Sequence, residues 1–157
     1  MHASRTDSLD YQVYSIESEV SVWLFGTKRI VTKFHSVFNP DMLVQAEVTM
    51  YRNGDLKEKS TTVWMSDHYQ VVTDGDLQDP IDRPIKHSIA SIYFQLPDAS
   101  SVYSERFGVE MKSWMQDESF AIEKPGGRLN TYTFGQRYCN LVEVDNALTK
   151  LYIVRVK

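Results

Sequence analysis

Cysteine is almost missing from this sequence. Cys139 stands alone among 157 residues, so no disulfide forms within the chain and stability has to come from a core. Nowhere is there a run of about 18 apolar residues, the length that crosses a bilayer as a helix, and no helical membrane span is expected. Positive charge is in deficit, with Lys+Arg 17 against Asp+Glu 21 and a net charge of −4. Such a chain offers no basic footprint to a phosphate backbone, and nucleic acid is excluded as a partner. Residues 1–10 are polar and hold no apolar segment of the signal-peptide kind. As it stands the chain is expected in the cytoplasm, and exported only if it lacks its native N-terminus.

What is present is ordinary for a globular protein. Hydrophobic residues make up 42% and charged residues 24%, which excludes a disordered chain, a collagen and a coiled coil. A chain of this length buries roughly 70% of its unfolded surface. The reading is one β-rich domain over 11–157 behind a disordered tail at 1–10. Aromatic residues reach 12%, with nine tyrosines, seven phenylalanines and three tryptophans. They are interleaved with Val, Ile and Thr, which fit a pleated surface. No internal repeat, low-complexity run or linker is visible.

Period-two alternation marks the first strand, Tyr11 to Phe25. Tyr14, Ile16, Val20, Val22 and Leu24 fall on one face and Glu17, Glu19 and Ser21 on the other. A turn at Gly26-Thr27 sends Lys28 to Phe38 back, and Asn39-Pro40-Asp41 turns into Met42 to Arg52. Asn53-Gly54 is the strongest hairpin signal in the chain. A two-residue turn there sets Met50 against Lys57 and Val48 against Lys59, so lysines share a face with apolar residues. Either their stems lie over that face or a bulge shifts the register by one. Tyr69 to Thr73 is a short strand. Ile85, Ile89, Ile92, Tyr93 and Leu96 then follow helical spacing between Pro84 and Pro97, and predict the one helix. Residues 101–115 fit helix or strand. Ser119 to Lys124, Arg128 to Phe134, Arg137 to Val144 and Leu148 to Val156 read as strands, the last two around Asp145-Asn146-Ala147. The expected architecture is mainly β: a single curved antiparallel sheet, or barrel-like wrap, of about eight to ten strands with one helical insertion.

Several segments together resemble a known family. They are Val37 to Asn39, Val48 through Lys59, Ser91-Ile92-Tyr93-Phe94-Gln95-Leu96-Pro97, Val102 to Gly108, and Leu129-Asn130-Thr131-Tyr132-Thr133-Phe134-Gly135. In this order they are similar to a family of uncharacterised bacterial β-rich domains, chiefly of Bacteroidetes, over nearly the whole chain. The resemblance implies a style of fold, no assigned activity, and members that are commonly exported.

Motifs for chemistry are sparse. The four histidines, His2, His35, His68 and His87, lie in no metal-binding spacing, and the plain reading is surface or half-buried residues. Ser36 or Ser88 could meet a histidine in space, yet no G-x-S-x-G elbow is present. Cys139 reads as a small core residue sooner than a nucleophile. Asp74, Asp76, Asp79 and Asp82 crowd one loop without the order of a calcium-binding hand, and aspartate is at home in turns. Lys124-Pro125-Gly126-Gly127-Arg128 reads as a hairpin turn and not a phosphate loop. No cofactor and no metal is expected. Glu105 and Arg106 are adjacent, so on a strand one of them would face inward and need a buried partner. With His35 they are the polar residues to follow. Trp23, Phe34, Trp64, Tyr93 and Trp114 fill a core or line an apolar pocket inside a curled sheet. The expected function is a non-enzymatic binding module for an apolar small molecule or lipid. The alternatives are a structural or protein-interaction domain, or an enzyme whose site assembles only in three dimensions.

Overall fold

The computed structural model describes residues 1–23, 27–40, 42–98, 100–136, 138–145 and 150–154, the side chains of 22 and 23 excepted. The chain gathers into two compact units. One holds residues 1–86 with 105–108, the other 87–104 with 109–157.

The first unit is a seven-stranded antiparallel meander. Its strands are β1 (His2–Asp7), β2 (Gln12–Trp23), β3 (Thr27–Phe38), β4 (Leu43–Arg52), β5 (Asp55–Trp64), β6 (Tyr69–Thr73) and β7 (Asp76–Leu77), neighbours in chain order throughout. β1 replaces the tail expected at residues 1–10. Its sequence is polar and carries no alternation, but β2 offers a free edge, and the ladder from His2↔Glu17 to Asp7↔Gln12 supplies the backbone partners. At Asn53-Gly54 the bulge alternative holds. Tyr51 pairs with Leu56, then Met50 with Glu58, which leaves Lys57 extra. The shift sends Lys59 to the exposed face and Ser60 and Thr62 to the buried one. Asn53 and Gly54 both have positive φ, 53° and 91°, as a type I′ turn requires.

One face of this sheet is buried. Tyr14, Ile16, Phe38, Leu43, Ala46, Val48, Met50, Tyr69 and Val71 form its apolar part. Tyr14 meets Phe38 edge to face at 5.6 Å between ring centroids, and Trp64 meets Tyr69 at 4.7 Å. Tyr69 also ties chain segments together. Its hydroxyl donates to the Leu43 carbonyl at 2.7 Å and accepts from the Ile85 N–H at 3.2 Å.

The second unit holds a six-stranded antiparallel sheet in the order β13-β12-β11-β10-β9-β8. These strands are β8 (Ser101–Ser104), β9 (Val109–Gln116), β10 (Ser119–Glu123), β11 (Leu129–Phe134), β12 (Cys139–Asp145) and β13 (Lys150–Val154). The ambiguous stretch at 101–115 is therefore a hairpin. Ile92, Val102, Met111, Phe120, Ile122, Tyr132, Cys139 and Val142 make the core on one face. Of the expected helix, only α1 (Ile89–Ile92) forms. Upstream of it the backbone is bonded elsewhere: the Ile85 carbonyl accepts from Leu43 N–H, and the His87 carbonyl from Tyr103 N–H. Those bonds commit residues 85 and 87 to partners outside a helix. Ser88 is extended as the N-cap, and the Ser91 hydroxyl accepts from its N–H at 3.0 Å.

The single curved sheet or barrel-like wrap is thus corrected to two antiparallel sheets. Among the described residues neither closes on itself, with edges at β1 and β7 in one and at β13 and β8 in the other. The mainly antiparallel β character and the short helical insertion stand. Leu24 and the turns read at Gly26-Thr27 and at Asp145-Asn146-Ala147 fall wholly or partly outside the described residues.

Burial pushes the phenols of Tyr14 and Tyr69 above their ordinary value near 10. The unfolded chain therefore loses these protons first as pH climbs. Their contribution to stability is complete below about pH 10 and is lost as pH rises through the folded values. Urea midpoints measured against pH should hold level up to about pH 10 and then fall, and the fall should be smaller in Tyr14→Phe.

Candidate functional site

The exposed face of the first sheet is where polar side chains are brought into register. β2, β3 and, from Gln45 on, β4 alternate in step, so their residues of odd number stand on this face, while a register shift beside Phe38 turns Leu43 to the buried one. Two cross-strand rows result. In one, Ser15 lies opposite His35 and His35 opposite Glu47; in the other, Glu17 lies opposite Lys33 and Lys33 opposite Thr49. The rows border an open groove of about 430 Å³, with His2 at one side and Tyr51 at the end.

Three pairs of polar side chains meet along the groove. Lys33 Nζ sits 3.2 Å from Glu17 Oε2, and Lys59 Nζ, from β5, sits 3.0 Å from Glu47 Oε2. Ser15 Oγ and His35 Nδ1 are 3.3 Å apart, the ring tautomer setting which of them donates. Further along the face Arg29 donates from Nε and Nη2 to Glu19 at 2.6 and 2.8 Å. That fork holds the Glu19 carboxyl below the usual carboxylate range. All these pairs are exposed, so each contributes little to stability. Their effect is on orientation: each head group is held in one place with donors and acceptors to spare.

Hydrolase geometry is incomplete in this groove. Ser15 meets the Nδ1 of His35, and the Glu47 carboxylate goes to Lys59. The floor is made of β2, β3 and β4 around residues 15–17, 33–35 and 47–49, where the backbone lies between ladders on either side. Backbone so engaged is not free to bind an oxyanion.

Glu105 and Arg106 lie on the turn between β8 and β9 and belong to the first unit. Glu105 is the member turned inward, only 1% exposed, and the Ser36 hydroxyl donates to its Oε1 at 3.0 Å. Room for it comes from small side chains, since Ser36, Ala46 and Thr62 are consecutive cross-strand neighbours on the buried face. Arg106 forks onto Glu58, Nε to Oε2 at 2.7 Å and Nη2 to Oε1 at 2.9 Å. Its guanidinium also lies 5.2 Å from the Phe107 ring centre. These residues lock a turn onto the first sheet.

The aromatic candidates separate. Phe34 and Trp64 are half-buried in the first unit, Phe34 beside the groove floor. Tyr93 packs edge to face on Tyr132 at 6.0 Å in the second unit. Trp114 is in that unit too, 38% exposed on the sheet face opposite the core. The Trp23 side chain lies outside the described residues. Cys139 is buried in the core, its thiol donating to the Leu141 carbonyl at 3.4 Å. Asp74 Oδ1 accepts from the Lys59 N–H at 2.8 Å, which makes it a turn residue. Among the described residues no cluster of three or more His, Cys, Asp or Glu side chains is placed to hold a metal ion.

Lys124 N–H donates to the Arg128 carbonyl, and the hairpin turn there carries Gly126 and Gly127 at positive φ. The late strand of Leu129 to Phe134 is β11 and the Val48 to Lys59 segment is the bulged β4–β5 hairpin. Residues 1–156 match the family described as a domain of unknown function, DUF6134. The chain belongs to DUF6134. No curated protein and no solved structure matches it. The DUF6134 match runs through both units, so the exposed-face groove and the β8–β9 turn both lie within the family region.

Of the groove residues, sequence reading singled out Phe34 and His35. Glu17 was legible only as the outward half of an alternating strand, Lys59 was set on the apolar face by the unbulged register, and Lys33, Glu47 and Tyr51 carried no mark of their own. The signal that finds them is strand register, which sets Glu17 against Lys33 once β2 and β3 are paired.

Proposed function

We propose that this DUF6134 chain is a non-enzymatic binding module, and that it holds a small polar ligand in the groove on the exposed face of its first sheet. The observation that carries the reading is the set of paired side chains bordering that groove, Ser15 with His35, Glu17 with Lys33 and Glu47 with Lys59. Pairing fixes polar atoms before a ligand arrives, so less is lost in ordering them on binding. Ladder-bound backbone in the floor favours binding over acyl-transfer chemistry. Charged pairs across the groove favour a polar ligand over a lipid, because a fatty chain would have to strip water from ions without replacing their hydrogen bonds.

A protein-interaction role is the second reading. It draws on the edge strand β13, where Tyr152 and Val154 stand 60% and 63% exposed, since an open edge can accept another strand.

The test is a ligand-observed NMR screen of a polar metabolite and oligosaccharide library, run beside native mass spectrometry. Ligands of the wild type are expected to weaken by about tenfold, about 1.4 kcal/mol, in a His35→Ala, Tyr51→Ala double variant. Ligands indifferent to that variant, or a stoichiometric lipid adduct in the mass spectrum, would overturn the reading.

A further inference from the structure

We infer that the ligand of this face is a neutral, linear oligosaccharide laid across the strands, with the groove as one subsite and a second hollow over β5 and β6 as another; the inference rests on the groove being the binding site. The second hollow, about 370 Å³, is bordered by Leu56, Lys59, Thr61, Val72 and Asp74. It opens on the same face as the groove, because Thr61 stands in register between Glu47 and Val72. The Lys59–Glu47 pair is the ridge between the two. At about 4.8 Å per strand, β3 beneath the groove and the β5–β6 hollow are separated by about 12 Å.

Charge decides the first part of the ligand's chemistry. Glu17 is matched by Lys33 and Glu47 by Lys59, so these four groups sum to zero. An ionic ligand would gain no net attraction and would have to break a pair. A neutral hydroxyl can accept from a lysine and donate to a carboxylate while both pairs persist. Apolar contact is available at intervals, from Tyr51 in the groove and from Leu56 and Val72 in the second hollow. Hydroxyls in several directions with C–H faces between them are the chemistry of a sugar chain.

Sheet geometry decides the second part. An extended peptide binds a sheet at its edge, where backbone groups are open. Beneath the groove the backbone of β2 at 12–17, of β3 at 30–37 and of β4 at 45–52 lies between ladders on both sides, and only side chains are offered there. From β1 to β6 the face is about 24 Å wide. A sugar ring with its glycosidic oxygen is roughly 5 Å long on ordinary bond lengths, so about five rings cross the face and enter both hollows.

The experiment is an array of linear glycans, neutral and acidic, graded from monosaccharide to octasaccharide, with extended peptides on the same surface. The full-length chain should retain neutral glycans, more tightly with length up to about five units, and with little response to salt. Leu56→Ala, at a half-exposed position, should weaken the longer glycans by about fivefold and leave the short ones as in the wild type. Retention of acidic glycans only, of peptides only, or of no glycan at all would overturn the inference. Equal affinity for short and long glycans, both weakened by Tyr51→Ala, would remove the second subsite and keep the groove. Glycan binding that Tyr51→Ala leaves unchanged would remove the groove as well.

Discussion

Tyr69→Phe should lower the stability of the first unit to urea by about 2–4 kcal/mol, although it deletes a single oxygen. The ring is fully buried and packs against Trp64, and that packing survives the change. What disappears is a two-way bridge. The hydroxyl donates to the Leu43 carbonyl and accepts from the Ile85 N–H, and Leu43 and Ile85 are both buried. Phenylalanine leaves one backbone acceptor short of a donor and one donor short of an acceptor. A buried polar group without a partner costs about 1–3 kcal/mol, and the Leu43 N–H to Ile85 carbonyl bond nearby keeps the segment from opening to let water in. A loss under about 0.5 kcal/mol, the scale of an ordinary surface substitution, would show that the bridge carries no weight.

Glu105→Ala should be comparably damaging, at about 3 kcal/mol. It empties a space that Ser36, Ala46 and Thr62 are small enough to leave, and it strips the Ser36 hydroxyl of its acceptor. Glu105→Gln keeps the shape and an acceptor oxygen, so its loss should be smaller, about 1 kcal/mol. Ser36→Ala removes a donor from a buried carboxyl and should fall between the two, at about 2 kcal/mol. That order separates an acceptor built into the sheet from a side chain that merely fills volume. If alanine and glutamine at 105 are equally destabilising, the hydrogen bond from Ser36 is not what the carboxyl is there for.

How much was legible before the structure depends on which physical signal carried it. Alternation placed Tyr14 and Ile16 on the buried face of β2, because solvent on one side and a core on the other impose a period of two. Asn53-Gly54 announced its hairpin, since two positive φ angles in a row suit few other dipeptides. The same turn could not announce its bulge. Lys57 is set aside only because Glu58 and Ser60 are wanted opposite Met50 and Val48, and that is a property of the paired sheet. Helical spacing from Ile85 to Leu96 was genuine but lost to tertiary hydrogen bonds at Ile85 and His87. Polar β1 was invisible because a strand at an edge draws on its neighbour's backbone and needs no pattern of its own. Division into two sheets had no local signal either.

The candidate site was less legible still. Adjacent charges at Glu105 and Arg106 hinted at burial, and burial is what Glu105 has. Groove residues lie on separate strands, tens of positions apart, and ordinary polar residues on a solvent face carry no mark of what they meet across the ladder.

The exposed face of the first sheet is the proposed binding surface. Amide chemical-shift mapping on isotope-labelled protein, titrated with the neutral oligosaccharide best retained on the array, addresses it most directly. The expected result is a contiguous set of shifts at Ser15, Lys33, His35, Glu47 and Tyr51, with the second unit's core unmoved. Shifts centred instead on Ile92, Phe120 and Tyr132, or on the buried face around Phe38 and Val48, would contradict it.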